Sequence, residues 1–205
     1  MRLRRKKIAT EPVSNTSSRE VLARDLAAAG LWDHLPARAQ EAAQSRITSG
    51  EYPLCCDDID EQVEFSADGE DLAEGRVQDF LKEITPGLAR WGLDLRVQVI
   101  SDPYEAGAEI DYVLDINDVR CTVWTCAEIE PRDLWYQATI RPVKVINRLL
   151  ADIGADARVF TMYVGGNDGM AFILNPRVPA AMKACGLFKD RDVPSTPEGE
   201  TDLLR

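Results

Sequence analysis

The chain has 205 residues, 45% of them apolar, and a formal net charge of −11 at neutral pH. That length fits one domain with appended elements, and that apolar fraction is enough for a true core. A body this acidic is expected to repel nucleic acid and anionic membranes, which are held by basic contacts, and no apolar run approaches the roughly 18 residues of a membrane span.

The first sixteen residues are polar and aperiodic and read as a basic, disordered arm. Arg2, Arg4, Arg5, Lys6 and Lys7 carry +5, which leaves −16 on the remainder. No signal-peptide core follows them. Residues 17–50 read as a helical pair. Ser17 and Glu20 have capping-box spacing, Val21, Leu22, Leu26 and Ala29 form a stripe, and Gly30 ends the first helix. Pro36 opens a second, alanine-rich helix that Gly50 closes, with Trp32 and Leu35 in the connection.

From Asp57 to Gly75 the chain carries nine carboxylates and no lysine or arginine. A short strand is expected at Gln62–Phe65, then a helix from about Gly69 toward Leu88, with Val77, Phe80, Leu81, Ile84 and Leu88 on one face and Pro86-Gly87 as its end or kink. Leu93–Ile100 alternates like a half-buried strand that Ser101-Asp102-Pro103 breaks. The segment 109–125 then reads as a hairpin about Asn117-Asp118. One face pairs Ile116 with Val119, Leu114 with Cys121 and Tyr112 with Val123. The other pairs Asp115 with Arg120, Val113 with Thr122 and Asp111 with Trp124.

Leu134–Ile140 alternates like a strand yet leads straight into a helix, for which Pro142 suits the first turn and Val143, Ile146, Leu149, Leu150 and Ile153 supply the stripe. Arg158–Val164 and Met170–Leu174 flank Gly165-Gly166-Asn167-Asp168-Gly169. Both faces of this second hairpin are apolar, the pattern of central strands covered on both sides. A short helix at about Val178–Cys185 follows. This order predicts an α+β fold, with a mainly antiparallel sheet of about five or six strands and packed helices. The α+β domain is placed at 51–187 and a polar C-terminal tail at 188–205.

Five cysteines, an odd number that includes adjacent Cys55 and Cys56, fit a cytosolic protein with small buried thiols better than a disulfide framework. Nucleophilic catalysis has little support: His34 is the single histidine, and no G-x-S-x-G elbow occurs. The start of a calcium loop at Asp58, Asp60 and Gln62 fails, because Val63 stands where glycine is needed and Gly69 where the bidentate glutamate belongs. The glycine loop at 165–169 offers N–H groups to an anion, but it joins two strands and leads into no helix, so hairpin turn chemistry accounts for it. No catalytic residue, metal ligand or cofactor is assigned.

Asp68, Glu70, Asp71 and Glu74 suit the start of a helix, where the macrodipole favours negative charge. Asp57, Asp58, Asp60, Glu61 and Glu64 have no such explanation: they read as a solvated loop or, in functional terms, as a docking surface for a basic protein. Trp124, on the polar face of the first hairpin unless a helix covers it, Trp135 and Tyr136 are its aromatic anchors. Asn167 and Asp168, at a loop tip, complete the set.

At Tyr112–Trp124 (YVLDINDVRCTVW) and Val143–Leu174 (VKVINRLLADIG…RVFTMYVGGNDGMAFIL) the chain resembles small acidic bacterial immunity proteins of polymorphic toxin systems. The resemblance spans about residues 50–186 and lies in general character, that of a single acidic α+β domain without a catalytic constellation. It implies a cytosolic protein that binds and neutralises a basic toxin or nuclease without turnover. The basic arm departs from that pattern. Two other readings stand beside it: a metal-dependent hydrolase using Asp57, Asp58 and Asp60, and a structural or assembly component.

Overall fold

The computed structural model describes residues 15–54, 62–106, 110–127 and 131–197. Helix α1 (Asn15–Ala28) begins two residues before the expected Ser17 cap and buries Leu22, Leu26 and Ala29, while Val21 lies off the stripe, exposed. Gly30, at φ +77°, ends it: its N–H reaches Ala27 O and that of Leu31 reaches Leu26 O. Helix α2 (Ala37–Ser49) rests on α1 through Ala43 and Ile47, the thin face its composition predicts, and Trp32 is buried in the connection.

The chain is α+β with an N-terminal helical pair, as predicted; among the described residues there are six antiparallel strands, but they form two sheets of three. One sheet has the order β1 (Glu64–Ser66), β6 (Met170–Leu174), β5 (Arg158–Met162). Within β5 and β6 its faces bury most of the residues that alternation predicts, but Tyr163, next in the same pattern, is exposed. Phe160, Phe172 and Leu174 meet the helical pair and α7 (Arg177–Ala184), and Val159, Ala171 and Ile173 meet a second core. The other sheet has the order β2 (Val97–Ser101), β3 (Tyr112–Ile116), β4 (Val119–Trp124), and the short helix α5 (Pro103–Ala106) follows β2.

Between the sheets lie α4 (Val77–Ala89) and α6 (Pro131–Asp152), whose side chains join both sheets in one core. This insertion explains why one continuous sheet does not form. The predicted stripe of α4 is buried in full, and the helix runs through Pro86 and Gly87 to end at Ala89. Proline so near a C-terminus removes one hydrogen bond without breaking a long helix.

Several boundaries differ from expectation. Helix α6 begins at Pro131, so Leu134–Ile140 is helical and Pro142 is internal; burial of the successive residues Ala138, Thr139 and Ile140, which encloses this turn on more than one side, holds the turn that the proline weakens. Ile153 is exposed. Strand β2 begins at Val97, four residues after Leu93. The tail expected from residue 188 instead packs on the sheet as far as Pro197, and Ser195 pairs with Thr161 through both backbone groups at 2.8 and 3.0 Å.

Four pairs of the β3–β4 hairpin match the predicted register about Asn117 and Asp118, both at positive φ. Beyond them a bulge at Val123 sets Tyr112 opposite Trp124. Val123 and Trp124 are consequently both buried, which removes Trp124 from the polar face. Cys121 is buried and Cys126 exposed, so only the former is a core thiol. No helix among the described residues is long and apolar enough to cross a membrane.

The helix expected from Gly69 is broken into α3 (Gly69–Asp71), a π-turn at Leu72–Arg76 and α4, with Gly75 at φ +103°. The kink frees backbone groups that sheet side chains take up. Tyr112 Oη donates to Gly75 O at 2.9 Å, with the N–H groups of Gln78 and Val77 directed at the tyrosine oxygen, and Trp124 Nε1 donates to Ala73 O at 3.1 Å. Across the core, buried Asn147 of α6 accepts from Val159 N at 2.6 Å and donates to Val159 O at 2.9 Å, completing the outer edge of β5.

Tyr112→Phe and Trp124→Phe should each cost about 1–3 kcal/mol in urea unfolding, and the double variant less than their sum, because loosening the turn by one route lets water reach the other carbonyl. Strict additivity would show that the two bonds act separately. Asn147→Leu, which strands both groups of Val159, should cost about 2–4 kcal/mol by the same measurement.

Candidate functional site

Three backbone segments meet at one junction. Ala67 N–H donates to Gly169 O at 2.8 Å and Gly69 N–H to Gly166 O at 3.0 Å, which fastens the glycine loop to the start of α3. A side chain at Gly69 would meet Trp135 Cβ at 3.0 Å and Gly165 Cα at 3.2 Å, and one at Gly169 would strike Ala67 O. The glycines therefore serve close backbone approach as well as turn geometry. Asp68 caps α3, accepting from Glu70 N at 2.9 Å, and Glu70 Oε2 in turn accepts from Asn167 Nδ2 at 2.9 Å.

The structure thus brings together Trp135, Tyr136, Asn167 and Asp168 of the predicted set. Trp135 is half-buried against the junction, Tyr136 reaches solvent, and Asn167 and Asp168 form the exposed loop tip. Glu64 stands apart on β1, opposite Phe172. Trp124 is in the core, and Asp57, Asp58, Asp60 and Glu61 lie outside the described residues.

Beside the junction is a cleft of about 320 Å³. Tyr136 and Ile140 of α6 form one wall, the end of β5 the floor, and Asp190, Arg191, Val193 and 195–197 the other wall. Tyr163 holds φ +53°, a conformation that a bulky residue rarely adopts, and this turns its ring outward. It is 47% exposed and Tyr136 36%. Tyr163 Oη donates to Asp192 Oδ1 at 3.2 Å; Asp192 also faces Arg191 at 3.5 Å, and its carbonyl accepts from Tyr52 Oη at 2.6 Å.

Asp68, Asp71, Asp79 and Glu83 line a second, smaller groove of about 120 Å³, in which Arg76, 3.8 Å from Asp71, is the one cation among the described residues. The carboxylates from Asp68 to Asp71 therefore link this groove to the loop tip. Among the described residues no group of three or more histidines, cysteines or acids is placed to hold a metal ion.

Burial raises the Glu64 carboxyl above its ordinary range. Burial, and to a lesser degree Glu74 and Asp102, raises the Tyr104 hydroxyl. Burial pushes the Cys121 thiol up to about 12, against the opposing effect of nearby Arg141.

Sequence reasoning misses Tyr163, Glu70 and the 190–197 wall. Alternation places Tyr163 in the core, and only the glycine two residues later hints that the strand ends before it. Helix electrostatics alone accounts for Glu70 and Asp71 in the sequence, which hides their place at the junction. The apolar Phe188 and Val193 and the prolines 194 and 197 are the sequence signal of that wall, and the structure buries the prolines fully and Phe188 and Val193 in part.

The chain matches no family model, no curated protein and no solved structure.

Glu64 provides a pH test. Its folded pKa exceeds the unfolded value, so the fold favours the neutral form, and that contribution is lost as pH rises through the raised pKa. Glu64→Gln should raise Tm at neutral pH, with a gain that fades below about pH 4, where wild type is also neutral. A gain independent of pH would assign the effect to packing.

Proposed function

We propose that the protein is a non-enzymatic, acidic binding protein that engages a basic protein partner in the cytosol, as an immunity protein engages a toxin or nuclease. The observation that carries this reading is the junction of α3, the glycine loop and α6. There two exposed tyrosines flank a cleft, and Glu70, Asp168, Asp190 and Asp192 stand on the adjoining elements. Tyrosines supply apolar contact with a polar tip, and carboxylates around them attract a basic surface and orient it. The net charge of −11 extends that attraction beyond contact range.

The chemistry is recognition: these groups pair with guanidinium and ammonium ions and stack on apolar stems. The carboxylates of Asp57–Glu61 add to the negative charge that attracts a basic partner in this reading.

The test uses the product of a neighbouring reading frame in the native genome as partner. Co-expression should relieve its toxicity, and the association rate should fall about tenfold or more from low to high salt. Tyr136→Ala combined with Tyr163→Ala should weaken binding by about 2 kcal/mol or more while the fold persists. Charge reversal at Asp57, Asp58, Asp60 and Glu61 together should slow association. Rates and affinities unmoved by salt and by both variants would overturn the reading.

A further inference from the structure

The sheet edges are not treated alike. The outer edge of β5 is closed by Asn147 and Ser195, Arg141 Nη1 reaches the carbonyls of Thr122 and Val123 on β4 at 3.5 and 3.2 Å, and β1 is only three residues long. These are ordinary protections against unwanted pairing. Strand β2 is different. Arg96 turns both backbone groups inward, its N–H to Asn117 Oδ1 at 2.6 Å and its C=O to Asn117 N at 2.9 Å. Alternation then turns Gln98 toward its partner Asp115, and the N–H and C=O of Val97 and Val99 outward. Among the described residues nothing hydrogen-bonds those four groups.

From this geometry we infer that the edge of β2 is a strand-addition site for an extended, basic segment of a partner protein. The site is separate from the tyrosine cleft and does not depend on what that cleft binds. Main-chain pairing to Val97 and Val99 supplies the attachment, and flanking side chains set the choice of partner. The register slips between Val99 and Ser101, so Ile100 stands out as the bulged residue, 46% exposed. Tyr104, 59% exposed, follows on α5, its ring edge-on to buried Trp124 at 6.4 Å. An apolar side chain of the incoming strand fits this pair.

Charge decides the rest. Asp94 and Asp102 bracket the strand, and Glu74 and Asp102 lie beside Tyr104. Arg96, the one cation among the described residues of this edge, is paired with Asp118 at 2.9 Å. Basic residues toward both ends of the added strand therefore meet carboxylates. A second copy fits less well: the antiparallel register that uses all four free groups sets Val97 against Val99, and it brings Asp94 of each copy alongside Asp102 of the other. That juxtaposes like charges at both ends.

The test uses a short synthetic peptide of alternating lysine and valine, with the glutamate–valine peptide as its counterpart. The lysine peptide should slow hydrogen exchange at the amides of Val97 and Val99; the glutamate peptide should not. Val99→Pro removes one outward donor while leaving the β3 pairing of Gln98 intact, so it should weaken peptide binding roughly tenfold or more at an unchanged Tm. Ile100→Lys, at an exposed position, should weaken it by repulsion, and it decides the matter together with wild-type exchange if the proline variant unfolds. Undiminished binding to the folded variants, or protection only at other amides, would overturn the inference. So would a mass that doubles with concentration and reverts in Val99→Pro, which would make a second copy the occupant.

Discussion

Two side chains from one sheet hold a broken helix in place, and the arrangement of the layers follows from them. Tyr112 and Trp124 take up Gly75 O and Ala73 O, carbonyls released where the chain kinks between α3 and α4. A straight helix would carry α3 away from the glycine loop. The kink lets α4 lie in the core between the sheets while Asp68 and Glu70 remain at the junction with Gly166 and Asn167. Burial of an unpaired carbonyl is costly enough that the turn and the aromatic pair must form together.

The candidate site inherits its rigidity from that arrangement. Glycines at 69 and 169 allow backbone to meet backbone, and Asn167 is tied to Glu70 at the tip. Tyr163 is held in an unfavoured conformation by its neighbours, with its hydroxyl anchored on Asp192. A surface that presents aromatic rings at fixed angles loses little side-chain entropy when it binds. Recognition by such a face depends on preorganisation as much as on charge.

Periodicity carries the sequence reading wherever one spacing persists. The stripe of α4, the two faces of β5 and β6 and the Asn117-Asp118 turn follow from alternation and from turn chemistry. It fails where geometry inserts or redirects a single residue. The bulge at Val123 sends Trp124 inward, and positive φ sends Tyr163 outward; neither leaves a mark in an apolar pattern. Pro142 resembles a helix start because proline suits a first turn, and only tertiary burial reveals that the helix begins at Pro131. The junction is partly legible: Tyr136, Asn167 and Asp168 stand out in the sequence, but their meeting with Glu70 depends on contacts between residues 97 positions apart.

The packing of 190–197 bears on when the molecule becomes complete. Tyr52 Oη reaches Asp192 O across 140 positions of chain, and Ser195 pairs with Thr161 across 34. Contacts of such separation carry a large loop-closure cost before they repay it. A chain synthesised from its N-terminus makes the whole of β5 before Ser195 exists. During that interval Thr161 presents an open edge, and the closing segment, once made, guards the sheet against pairing with another chain.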